Sequence, residues 1–163
     1  MIEVLLINET ESEVPASRIR KVVSAIVQDA GYQDAEISLA VIDDPSMHKL
    51  NRDHLQHDYP TDVLSFVFAS EDVLEGEVIV SIDTAIRVAE EYQWPTESEL
   101  LLYFIHGTLH LIGHDDHETD QRVAMREKET HYLQSLGIQA TEKHRSWASS
   151  ATGAGQDLGA SSE

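Results

Sequence analysis

Apolar positions recur along this chain with two different periods, and the changes of period mark out its elements. Val4 to Ile7 begin a strand-like apolar run. After Pro15, the residues Ile19, Val22, Val23, Ile26, Val27 and Ala30 fall at helical spacing and stop at Gly31, which predicts an amphipathic helix. Ile37 to Ile42 predict a second strand, and Pro45 to Leu55 a short helix rich in His and basic residues. The β-branched and aromatic residues from Val63 to Phe68 predict a third strand, and Val78 to Ile82 a fourth, entered through Gly76. Asp83 is the expected N-cap of a helix carrying Ala85, Ile86, Val88, Ala89 and Tyr92, which must end by Trp94 because Pro95 follows. Thr96 and Glu99 form a capping-box pattern ahead of the apolar run Leu100 to Ile112, closed by Gly113. That helix is apolar nearly all round, so it is expected to run through the middle of the fold. A last helix spans about Thr119 to Leu136, with Gly137 as its stop.

At 163 residues the chain is long enough for one well-buried core and too short for two ordinary domains. One domain is expected over residues 1–138, followed by a flexible tail over 139–163. The tail is rich in Ser, Ala and Gly and cannot bury enough apolar surface to order itself. The N-terminal stretch lacks a basic n-region and has only a short apolar run, so it reads as a strand, not a signal peptide or membrane span. A cytoplasmic location fits these features and the absence of cysteine.

The formal net charge of −19 changes what the chain is expected to bind. Broad phosphate-backbone binding needs clustered Lys and Arg, so a nucleic-acid substrate would have to meet a local positive site such as a metal. His48, Lys49, Arg52, His54 and His57 cluster in sequence and offer one such patch, although a solvated helix face explains them equally well.

The chemistry is concentrated in His106-Gly107-Thr108-Leu109-His110-Leu111-Ile112-Gly113-His114-Asp115-Asp116-His117. Residues four apart share a helix face, so the His106 and His110 imidazoles can converge on one ion. Without a metal, two imidazoles on so apolar a helix would each need a polar partner, at about 1–3 kcal/mol for each one missing. Gly113 can take a left-handed conformation and turn the chain back, so that a residue beyond it supplies a third ligand. His114, Asp116 and His117 are the candidates. His117 is preferred because it completes a three-nitrogen set suited to one Zn²⁺ per chain, with Asp116 then free to orient a ligand or transfer a proton. The position that holds the water-activating glutamate of H-E-x-x-H zinc proteases is Gly107 here, which argues against a peptidase. Close helix packing and open space beside the metal are both readings of that glycine.

With these residues in view, the chain resembles the YbeY family of bacterial rRNA maturation factors over roughly residues 1 to 138. The resemblance rests on His106 to His117, on Pro60-Thr61-Asp62-Val63-Leu64-Ser65-Phe66 preceded by Leu50-Asn51, and on Gly76-Glu77-Val78-Ile79-Val80-Ser81. It implies an α+β fold in which a small mixed four-stranded sheet packs with about five helices, the zinc-binding helix central. It also implies a zinc-dependent, single-strand-specific endoribonuclease acting in rRNA 3′-end maturation and ribosome biogenesis. The implied partners are rRNA, the small ribosomal subunit and ribosomal proteins, with no membrane, and the implied ligands are His106, His110 and His117. Two departures stand out: the third His comes one residue later, through the doubled Asp115-Asp116, and the family's arginine position holds Leu55. The general base is open, with Asp116, His114 and His57 as candidates by type and Arg52 as a nearby cation. The rival readings are a zinc metallopeptidase, which would use the edge strand Val63 to Phe68 to pair a peptide, and a non-catalytic ribosome-assembly factor with a structural zinc.

Overall fold

The computed structural model describes residues 1–52 and 63–139. Strand β1 (Ile2–Asn8) leads to helix α1 (Ala16–Asp29), strand β2 (Asp34–Ile42) and helix α2 (Asp44–Leu50). Strands β3 (Val63–Ala69) and β4 (Val73–Ser81) follow, then helices α3 (Ile82–Tyr92), α4 (Thr96–Leu111) and α5 (Thr119–Ser135). The sheet order is β1-β2-β4-β3. β1, β2 and β4 run parallel and β3 pairs antiparallel with β4, so the sheet is mixed and the fold is α+β, with five α-helices among the described residues.

Alternation along the strands decides which side of the sheet is covered. Ile37, Leu39 and Val41 of β2 share a face with Val78 and Val80 of β4, and these join α1, α4 and α5 in the main core. On the opposite face a smaller cluster gathers Ile42, Leu64 and Ile79 under Met47 of α2. Helix α4 is the centre of the molecule. Leu100, Leu101, Leu102, Tyr103, Phe104 and Ile105 are all at most 2% exposed, which leaves this helix no solvent face over nearly two turns. It lies on β3 and β4 and is flanked by α1, α3 and α5.

Several boundaries differ from the sequence reading, each for an identifiable physical reason. β4 begins at Val73, so Gly76 lies inside the strand rather than at its entry. A Cβ there would meet Leu111 Cδ2 at 2.9 Å and the Phe66 carbonyl oxygen at 3.0 Å, so the glycine lets the end of α4 close onto the sheet. Helix α3 is capped by Ser81, whose hydroxyl accepts from the Thr84 amide. Asp83 instead accepts from the Asp44 amide and ties α3 to α2. No capping box forms at Thr96. Pro95 holds the N-cap position, and Glu99 turns inward, fully buried, to accept from Trp94 Nε1 at 2.7 Å. The capping box occurs on α5, between Glu118 and Gln121. Gly113 and Gly137 both take positive φ, 103° and 79°, as helix stops.

Candidate metal centre

His106 and His110 stand one turn apart on α4, with their rings 4.7 Å apart and nearly perpendicular. Their Nε2 atoms face each other at 3.1 Å. The chain then leaves the helix through Gly113 and runs irregularly to the start of α5 at Thr119. Asp116 points in and is 5% exposed, whereas the side chains of Asp115 and His117 are 42% and 41% exposed and pair with each other, Nε2 to Oδ1 at 3.1 Å.

The structure therefore brings Asp116 to the histidine pair. Its Oδ2 lies 3.5 Å from His106 Nε2 and 3.3 Å from His110 Nε2. His117, preferred from sequence as the third ligand, belongs to an adjoining group with Asp115 that shares Asp116. His114 lines a cleft of about 260 Å³ with Lys128, Asp29 and Tyr132. Burial, Lys128 and His110 all lower its pKa, which favours its neutral form. Arg52 is exposed just beyond α2, while His54, Leu55 and His57 lie outside the described residues, as does the tail from residue 140.

The donor set fits a divalent cation. Tetrahedral coordination with bonds of about 2.0–2.1 Å to nitrogen or oxygen puts the ligand atoms about 3.3–3.4 Å apart. The triangle of two Nε2 atoms and one Oδ2 has edges of 3.1, 3.3 and 3.5 Å. Its electrostatics point the same way. Burial opposes a charge on His106, yet the hydrogen bonds that Asp116 and Glu129 accept from it, together with their charges, outweigh burial and raise its pKa to about 10. Burial also opposes ionisation of Asp116, and the two imidazoles overcome it, holding that carboxyl well below the usual range. The cluster thus favours a positive charge at its centre, which a divalent ion would supply in place of a proton.

Gly107 is explained by packing. A Cβ there would sit 2.5 Å from Val78 Cγ1 and 3.0 Å from both Ser65 Oγ and Val63 Cγ1. The Ser65 hydroxyl donates to the Gly107 carbonyl at 3.0 Å, pinning α4 to β3 beside the first histidine.

One residue of the site was missed from sequence. Glu129 of α5, 3% exposed, meets His106 Nδ1 at 2.5 Å. A signal was there: Met125, Glu129, Tyr132 and Leu133 fall at helical spacing, so a carboxylate occupies the buried stripe of the helix.

Residues 5–137 match the family described as Endoribonuclease YbeY. Among curated relatives, the Endoribonuclease YbeY of Chloroherpeton thalassium is 38% identical over 135 residues, spanning 83% of this chain and 96% of the relative. That of Syntrophotalea carbinolica is 40% identical over 124 residues, covering 72% and 83%. The solution structure of TM1509 from Thermotoga maritima superposes with a TM-score of 0.60 at 25% identity, over 84% of this chain and 92% of that one. The match takes in the whole of the sheet except its first three residues, together with the histidine helix and α5, so this chain belongs to the Endoribonuclease YbeY family.

Proposed function

We propose that this protein is a metal-dependent endoribonuclease that cuts single-stranded RNA and acts in rRNA 3′-end maturation, with one Zn²⁺ per chain. The observation that carries this reading is the convergence of His106 Nε2, His110 Nε2 and Asp116 Oδ2 on one point, in a chain whose relatives are named Endoribonuclease YbeY. His106, His110 and Asp116 hold the ion, with Asp116 in the role expected of His117.

When bound, the ion supplies Lewis acidity at a phosphoryl oxygen and acidifies water. The chain supplies position. Both histidines project from a helix whose preceding turns are fully buried, so they are held in place before substrate arrives. Asp116 brings the one negative charge among the three ligands. The donor set therefore keeps a net positive charge with a divalent ion and suits an anionic substrate, which the acidic chain otherwise repels.

The test is to incubate the Zn²⁺-loaded protein with single-stranded RNA, duplex RNA and casein, with His106→Ala as control. Cleavage of single-stranded RNA that disappears in His106→Ala is expected. Casein cleavage would favour a zinc metallopeptidase, and no cleavage of any substrate a non-catalytic assembly factor with a structural zinc.

A further inference from the structure

The two ring nitrogens of His106 face different surroundings. Nε2 looks toward His110 and Asp116, and Nδ1 toward Glu129 Oε2 at 2.5 Å. Glu129 is 3% exposed, and a carboxylate in so apolar a place is costly unless a partner offsets the burial. His110 is arranged differently: its Nδ1 is buried without a hydrogen-bond partner among the described residues. Among the described residues, therefore, only one of the two helix ligands is braced from behind, and the brace comes from another helix.

We propose that Glu129 is the positioning residue of the metal centre, acting through His106. This inference rests on the metal-centre reading above. A neutral imidazole has two tautomers, and only the one with its lone pair on Nε2 can serve a cation placed between His106, His110 and Asp116. An ionised carboxylate is purely an acceptor, so Glu129 accepts from Nδ1–H and selects that tautomer. It also fixes the ring orientation, and its charge makes Nε2 a stronger donor. Because Glu129 lies on α5, the packing of α5 against α4 sets the aim of the ligand.

The test uses the full-length chain and Zn²⁺ as the probe. Affinity is measured by competition with a chelating dye for the wild type, Glu129→Gln, Glu129→Ala and His106→Ala, with the fold of each checked by circular dichroism. Glu129→Ala is expected to weaken Zn²⁺ binding by about 10–100-fold. Glu129→Gln, which keeps an acceptor oxygen without the charge, should recover part of that loss. Nitrogen-15 spectra of the Zn²⁺-loaded wild type should show His106 protonated at Nδ1 and coordinated through Nε2. A Glu129→Ala protein that binds within about twofold of a Zn²⁺-binding wild type overturns this inference alone, since loss of such a partner ordinarily costs far more. So does a His106 ring coordinated through Nδ1, a result that can be read on the wild type even if the alanine variant does not fold. A wild type that takes up no Zn²⁺, or a His106→Ala protein that binds it equally well, overturns the metal-centre reading and this inference with it.

Discussion

Adding one methyl group at Gly107 would place a Cβ 2.5 Å from Val78 Cγ1 and 3.0 Å from Ser65 Oγ and Val63 Cγ1. Replacing a helix-interior glycine by alanine ordinarily gains about 1 kcal/mol. Here the new atom meets β4, where Val78 is fully buried and has nowhere to move, so the overpacking cost falls toward the upper part of about 1–3 kcal/mol. Pushing α4 away from the sheet also stretches the 3.0 Å bond from Ser65 Oγ to the Gly107 carbonyl. That bond is worth about 0.5–1.5 kcal/mol. The balance is a net destabilisation of roughly 1–3 kcal/mol, which lowers the melting temperature of a domain this size by about 3–10 °C. Thermal unfolding of Gly107→Ala followed by circular dichroism measures it. An unchanged or raised melting temperature would refute the packing argument. If Zn²⁺ affinity fell while stability did not, the glycine would be there to leave space beside the ion.

Purification without chelator should give one Zn²⁺ per chain by metal analysis, and His106→Ala or His110→Ala should abolish it. Asp116→Ala should lose the metal and His117→Ala keep it, because Asp116 faces the histidine pair and His117 faces Asp115; the reverse result would make His117 the third ligand. Leu55→Arg should raise single-stranded RNA cleavage by up to about tenfold with zinc content unchanged, since a guanidinium binds developing phosphoryl charge and leucine cannot. Burial opposes ionisation of Asp44, but bonds from Ser81, Thr84 and Arg87 outweigh it and lower its pKa. The ionised form thus stabilises the fold above the ordinary carboxylate pKa, and this is lost as pH falls through the depressed value. Asp44→Asn should therefore melt lower than wild type at pH 7, with the gap closing in acid; a gap independent of pH would show that the charge plays no part.

How much of this was legible in the sequence depended on the range of the cause. The parts set by local periodicity, namely α1, β3 and the stops at Gly113 and Gly137, could be read directly. Parts set by distant contacts could not. Gly76 looked like a strand entry because nothing nearby in sequence announces that Leu111 packs against it. Glu99 looked like half of a capping box, but burial drew it to Trp94. His106 and His110 were legible because both sit on one helix, four residues apart. The third member of the group depended on which of five non-helical residues after a turn faces the histidines, and imidazole chemistry alone favoured His117 over the inward-facing Asp116. Glu129 is 23 residues from its partner on another helix and is flanked by other charged residues.

The position of α4 has a consequence for how the chain matures as it is made. All four strands precede it in sequence, yet it covers the β3 and β4 part of the sheet, where Gly107 packs against Val63 and Val78. A nascent chain that has emerged only as far as Pro95 has every strand but leaves that apolar face bare, so it can collapse without reaching a stable fold. Emergence of residues 96–111 delivers the core and two histidines in one step, and residues 116–129 then add Asp116 and Glu129. Chains cut short between residues 96 and 129 lose part of the main core together with part of the cluster of His106, His110, Asp116 and Glu129, so an incomplete product is open to proteolysis.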